Sequence, residues 1–488
     1  KTAVSFIPTN GLPTHLTYGE LQRAVERTAV YLQSLGVKEG NCVAVQIKKC
    51  TPFILLNLAI MRLGAFVLPL NPTYPDRELT FFLQNSQAML FFTDELPATA
   101  IRELVQTIRV ERDTAVFLST LPHDKTAVLP PLPIDPERTA LMIYTSGTTG
   151  LPKGAEITHR NLAVNLDGLQ TIWSWQADDI LLHVLPIFHI HGLLVALYGA
   201  LYAGATTLLT EKFDAEQTLT LLDSEKCTIL MGVPSIHKRL VDVPDLERFD
   251  LSHMRIITSG SDRLPDDLFN QFKASFGHTL LERYGMTETG ITLSNPLNGE
   301  RRIGSVGTPL PNVKIRIADP ASDAPLPNDT VGELQIKGPH LFNGYWQLPQ
   351  KTKDSYSADG WFKTGDFAIR EEDGYVTLKG RLKDLVISGG LNVYPPEVEL
   401  VLADHPDVLT SAVIGCPNEE WGEQVTAVIV PKPNANLTET EIMTHCRTHL
   451  APYKLPRKII FVDSLPANAL GKVQKSQLRE NLCQDETS

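Results

Sequence analysis

The spacing of apolar positions changes several times along the chain, and each change predicts an element. Thr17 and Glu20 are spaced as a capping box, and Leu21, Val25, Thr28, Leu32 and Leu35 then recur at helical intervals until Gly36 ends the pattern. The continuous apolar run 42–47 has the length of a strand. A helix near 52–63 and a proline-rich turn over 71–75 come next. This alternation continues to about Thr210 and predicts an α/β architecture with buried sheets. From about Gly304 to Gly380 the character changes. Short alternating runs, such as 313–318 and 332–337, lie among closely spaced glycines and prolines, the pattern of antiparallel strands in a smaller barrel or sheet. The remainder alternates again and reads as a compact α+β unit.

A chain of 488 residues is too long for one hydrophobic core, so two or more domains are expected. Hydrophobic residues make up 43% and charged residues 20%, the balance of an ordered globular protein. The net charge of −12 is spread along the chain, which disfavours nucleic-acid and anionic-membrane partners while leaving room for a local phosphate site. The most apolar stretch, 53–70, is interrupted by Asn57, Arg62, Gly64 and Pro69; it reads as a core helix and turn, and no integral membrane contact is expected. No C-x-x-C pair occurs among Cys42, Cys50, Cys227, Cys416, Cys446 and Cys483. Disulfide framework and zinc cluster are both disfavoured, and a reducing compartment is expected. No signal-peptide pattern opens the sequence at Lys1, so the expected location is the cytoplasm, or an organelle matrix were a targeting segment to precede it.

The most informative segment is YTSGTTGLPKG, Tyr144 to Gly154. Thr145, Ser146, Gly147, Thr148, Thr149 and Gly150 are small or hydroxylated, and Lys153 adds charge. Such residues let backbone N–H groups approach a polyphosphate closely. The P-loop pattern of kinases and GTPases is absent, because Lys153 follows Pro152 and precedes Gly154. On composition alone, a phosphate cradle and a flexible turn with a solvated lysine fit equally well.

YTSGTTGLPKGAEITHRN closely resembles the phosphate-binding signature of the acyl-adenylate-forming superfamily, which includes acyl-CoA synthetases, peptide-synthetase adenylation domains and beetle luciferases. Further motifs follow in the family's order. Phe188-His189-Ile190-His191-Gly192 resembles its aromatic/His segment, and Tyr284-Gly285-Met286-Thr287-Glu288 its nucleotide and magnesium segment. Gly332-Glu333-Leu334 through Gly344-Tyr345-Trp346, then 360–366, 380–384 and Gly471-Lys472-Val473, are similar to the rest. The resemblance covers essentially the whole chain. It implies an adenylation domain over 1–382, made of buried sheets with helices plus a small antiparallel β subdomain, and a small mobile α+β domain over 383–488. It also implies ATP, Mg²⁺ and coenzyme A as cofactors, and a chain working as a monomer or homodimer on a small carboxylic acid.

The implied reaction brings an anionic carboxylate onto the anionic α-phosphorus of ATP, so it needs positioning and charge neutralisation more than a strong base. By resemblance, Lys472 reaches both the carboxylate and the α-phosphate, Glu288 holds Mg²⁺, and Thr287 donates to a phosphate. Tyr284, with Gly285 and Met286 beside it, stacks on adenine, and Gly260, Ser261 and Asp262 form the other wall. Asp366 takes the ribose hydroxyls, assisted by Arg381. Lys383 falls at the hinge, and Ser388, Gly389 and Gly390 form the loop that admits the thiol. Ala467 stands where the family often has a basic residue, which puts an auxiliary contact in doubt.

Arg283, before the adenine-stacking tyrosine, sets this chain apart from many fatty-acid and aryl members. With 188–192 and 304–311 it makes the chain resemble the malonyl-CoA synthetase branch. A dicarboxylic acid leaves one carboxylate unreacted, and burying that charge calls for a paired cation. Arg283 is the first candidate, since guanidinium grips carboxylate through two hydrogen bonds. Arg239 is the second, and His189 and His191 line the same pocket. The competing role for Arg283 is a structural ion pair with Glu282 or another acid. Ser235, His237 and Gly290 depart from the bacterial malonyl-CoA synthetases, which leaves malonate, methylmalonate or another short acid open. Two further readings are a ligase for longer or aryl acids or for a carrier-protein thiol, and a nucleotide-binding protein without catalysis.

Overall fold

A computed structural model describes residues 1–122, 129, 133–145, 152–389, 391–418, 421–467 and 472–483. The chain forms two compact units, Lys1–Lys314 with Lys337–Phe362, and Ile315–Ile336 with Lys363–Ser488. The boundary expected at 382/383 falls inside the second unit.

The capping box is present: Thr17 and Glu20 exchange hydrogen bonds at the start of helix Tyr18–Ser34, which buries Leu21, Ala24, Thr28, Ala29 and Leu32 along one face. In the first unit, seven strands follow the spatial order Gly344–Tyr345, Lys153–Thr158, Thr139–Thr145, Phe66–Pro69, Cys42–Gln46, Leu90–Thr93, Gln106–Arg109. A second sheet runs Ser305–Pro309, Gly290–Ser294, Leu281–Met286, Ile256–Ser259, Ile229–Gly232, Ile180–His183, Thr206–Thr210, Thr2–Ile7, Thr14–Thr17. Its central strands are parallel and buried, the arrangement in which ligands gather at the carboxyl ends of the strands. Helix Thr51–Arg62, the apolar stretch singled out in the sequence, is buried at nine of its 12 residues. Among the described residues no helix is long and apolar enough to cross a membrane.

The second unit holds two sheets. Strands Lys314–Ala318, Gly332–Lys337, Phe362–Arg370 and Val376–Arg381 are neighbours in that order. The turn Leu382–Asp384 then leads into a five-stranded sheet beginning at Val386, covered by helices Pro395–Ala403, Glu439–His449 and Lys475–Leu482. One sequence expectation is corrected here: Cys416 and Cys483 form a disulfide. Strand Val408–Asn418 and helix Lys475–Leu482 pack together and bring the two Cα atoms to 5.2 Å, a bridgeable distance. A separation of 67 residues carries no spacing signature. The other four cysteines are free and buried.

Candidate active site

In the first unit, Thr145 and Lys153 are cross-strand partners at the open end of an antiparallel pair, and Thr145 Oγ1 donates to the Lys153 carbonyl at 3.5 Å. Ser146, Gly147, Thr148, Thr149 and Gly150 lie outside the described residues. Lys153 Nζ sits 4.3 Å from the centroid of Tyr345, whose hydroxyl donates to Glu288 Oε1 at 2.9 Å. Burial, then the like charge of Lys351, holds Lys153 below the ordinary lysine value, while Glu288 opposes the shift. A polyanion arriving here meets a partly desolvated cation, where charge attraction is stronger than in water. Glu288 is buried in the turn between strands Leu281–Met286 and Gly290–Ser294, with Thr287 beside it half-buried.

Glu288 is a hard oxygen donor of the kind Mg²⁺ accepts. Among the described residues no group of three or more His, Cys, Asp or Glu could hold a metal. A single carboxylate donor is compatible with an ion completed by phosphate oxygens and water, the usual state of protein-bound Mg²⁺. Tyr284 is buried on the same strand with its hydroxyl 3.8 Å from Met286 Sδ, and Gly285 lies between them.

The carboxyl end of strand Ile256–Ser259 turns sharply at Gly260, Ser261 and Asp262. Ser261 has φ of +68°, a left-handed conformation that costs a non-glycine residue strain. Its Oγ lies 3.2 Å from His191 Nδ1. Gly260 lies against Arg283: a Cβ at Gly260 would stand 2.4 Å from the Arg283 Cζ. Only glycine leaves the guanidinium this space. Asp262 is exposed, and its carboxylate accepts the Arg263 N–H.

Arg283 is buried, and its Nε and Nη2 have no hydrogen-bond partner. Burial pushes its pKa down to about 9, so it stays charged near neutrality. The expected rival for it is excluded by the strand: Glu282 faces the other way and accepts the Leu264 N–H at 3.2 Å. His191 is buried with Nε2 unpartnered. Burial, then the charge of Arg283 and the rings of His189, His183 and His237, hold it well below the ordinary histidine value, so it is neutral. His189 is half-buried, and its Nδ1 accepts the His191 N–H at 3.3 Å. The result is a desolvated cation near an imidazole whose Nε2 has no partner, groups chemically able to bind an anionic oxygen.

Arg239 is not brought to this pocket. It is exposed on helix Pro234–Val241, 4.7 Å from the centroid of Phe213. The same helix turns His237 inward, where Nε2–H donates to the Thr258 carbonyl at 3.0 Å and burial lowers the pKa to about 4. Two residues along a helix is more than half a turn, so the two side chains cannot share a face. Tyr345 is the residue sequence reasoning passed over, although it lies in the Gly344-Tyr345-Trp346 motif.

In the second unit, Asp366 and Arg381 are directly opposed on adjacent strands, with Arg381 Nε 3.0 Å from Asp366 Oδ1. The pair places a buried carboxylate and a half-buried guanidinium side by side. Lys383 stands in the turn between the two sheets, among the charges of Arg381, Asp384, Arg479 and Asp366. Ser388 is buried, and the Gly389 N–H donates to the Trp421 carbonyl at 2.8 Å. Gly390 lies outside the described residues. Lys472 follows another such stretch, 468–471, which is flanked by a β-bridge between Ala467 and Val473. The helix after it is held by Lys475–Glu399 and Arg479–Asp384 ion pairs of 2.6 and 2.8 Å.

Known proteins place this geometry in a class. The profile of the AMP-binding enzymes matches residues 1–346, and that of the AMP-binding enzyme C-terminal domain matches 397–472. The chain belongs to the AMP-binding enzyme family. Within it, the chain is an acid–CoA ligase of the acyl-adenylate-forming kind. It is 34% identical to the Mus musculus protein named malonate–CoA ligase ACSF3, mitochondrial, over 96% of this chain and 87% of that one. It is 31% identical to a Bacillus subtilis long-chain-fatty-acid–CoA ligase over 100% of this chain and 92% of that one. The ATP-bound MatB from Rhodopseudomonas palustris superimposes with a TM-score of 0.93 at 38% identity, covering 99% of this chain and 96% of that one.

Proposed function

We propose that the acid is a short dicarboxylate, malonate or methylmalonate. The observation that carries this reading is the buried Arg283, whose Nε and Nη2 lack partners. A monocarboxylic acid, its one carboxylate committed to the phosphorus, would leave that cation desolvated and unpaired; the second carboxylate of a dicarboxylate would satisfy it. Relatives named for malonate support the reading. A comparable identity to a long-chain ligase means that overall likeness alone does not select the acid.

The remaining roles are those the family resemblance implies. Lys153 and the 145–150 segment hold the triphosphate, Tyr284 and the 260–262 turn enclose adenine, and Asp366 with Arg381 takes the ribose. Glu288, kept in place by Tyr345, would hold Mg²⁺, which supplies charge neutralisation at the phosphates when bound. Lys472 serves the adenylation step, and 388–390 admits the pantetheine thiol of coenzyme A. Lys383 is the hinge that exchanges the two; its position in the turn between two sheets supports this. Acid-dependent ATP–pyrophosphate exchange over a panel of acids, followed by addition of coenzyme A, tests the whole. Exchange with malonate and a malonyl thioester is the expected result. Exchange with octanoate and none with malonate would remove the dicarboxylate reading.

A further inference from the structure

Lys49 is buried, while its neighbour Lys48 is exposed and pairs with Glu95. A buried ammonium is costly unless its donors are met. Lys49 spends them on a single loop: Nζ donates to the Leu185 carbonyl at 2.9 Å and lies 3.4 Å from the His183 carbonyl. Lys49 itself is anchored between strand Cys42–Gln46 of one sheet and the buried helix Thr51–Arg62. The loop it grips leaves strand Ile180–His183 of the other sheet and runs to His191. The loop's base is closed by His183 Nε2 and the Gly192 carbonyl, 2.8 Å apart. Its packing is tight, since a Cβ on Gly192 would fall 2.1 Å from the Pro186 carbonyl oxygen. His189 and His191, assigned above to acid recognition, are carried on this loop.

We propose that Lys49 is a positioning residue for acid recognition, fixing the 183–192 loop so that His189 and His191 face the bound acid. The inference rests on the acid pocket described above. A lysine suits the task because its ammonium offers three donors, and even its neutral amine keeps two for the two carbonyls it meets. Burial draws its pKa down to about 7, partly offset by Glu211. The neutral amine still donates, so the grip survives deprotonation.

The test is Lys49→Met in the full-length enzyme, with KM measured separately for acid and ATP and thermal unfolding followed alongside. The expected result is a rise of at least tenfold in KM for the acid, with KM for ATP within twofold of wild type. Lys49→Gln keeps donors on a shorter arm and should recover part of the loss. A fall in melting temperature with the acid KM unchanged would mean a merely structural lysine and would overturn the proposal. So would equal rises in both KM values. If the methionine variant does not fold, Lys49→Gln is read by the same criteria. The dicarboxylate reading can fail separately: if wild type accepts octanoate and not malonate, the same comparison is made with octanoate.

Discussion

Arg283 and Glu282 are chain neighbours with opposite surroundings, and each makes a residue-level prediction. Arg283, assigned above to the acid's second carboxylate, is buried with Nε and Nη2 unmet. Replacing it with alanine should lower kcat/KM for malonate about 100-fold, the loss of about 3 kcal/mol that a charged hydrogen-bonding pair contributes. Turnover of a monocarboxylic acid should fall far less, and equal losses in steady-state assays would remove the role. Glu282 faces the core, and burial pushes its carboxyl up to about 7. The folded state therefore keeps a proton that the unfolded chain loses from about pH 4.3 upward. Stability from this group is greatest on the acid side, falls as pH rises through that window and is level above about 7. Glu282→Gln should flatten the fall, worth roughly 3 kcal/mol, in chemical denaturation between pH 4.5 and 7.5.

At the scale of elements, local chemistry explains what the sequence disclosed. The Thr17/Glu20 box, the run 42–47 and the apolar helix after Pro52 are each set by near neighbours, and each forms within a residue or two of its expected place. The direction of a side chain within an element was harder to read. Arg239 and His237 share a helix, and only packing against the Thr258 carbonyl decides which faces inward. Tyr345 lay in a recognised motif, but its hydrogen bond to Glu288 spans 57 residues. The Cys416–Cys483 bridge was hidden for the same reason. It closes a loop of 67 residues, so reduction should cost the second unit up to about 4 kcal/mol in denaturation with and without reductant. Intact mass after alkylation under denaturing, non-reducing conditions should count four thiols, Cys42, Cys50, Cys227 and Cys446.

For the whole molecule, the two half-reactions should be separable. Lys472→Ala should abolish acid-dependent pyrophosphate exchange yet leave thioester formation from preformed acyl-adenylate within a few-fold of wild type. Equal loss of both in single-turnover assays would mean that one arrangement of groups serves both steps. The order of motifs made the chemistry legible across the full length, because each motif is a short contiguous segment that can be read by itself. The acid was less legible, because the residues assigned to it come from strands and loops remote in sequence: Gly260 leaves space for the Arg283 guanidinium, Ser261 Oγ lies 3.2 Å from His191 Nδ1, and Arg283 waits with Nε and Nη2 unmet. That waiting charge has a consequence for the protein's life before catalysis. On the dicarboxylate reading proposed above, the acid that pairs with this cation also stabilises the folded chain. A non-reactive dicarboxylate at a hundred times its dissociation constant should add about 2.7 kcal/mol to the folded state. Core variants too weak to accumulate on their own should then be rescued by feeding the cell that analogue.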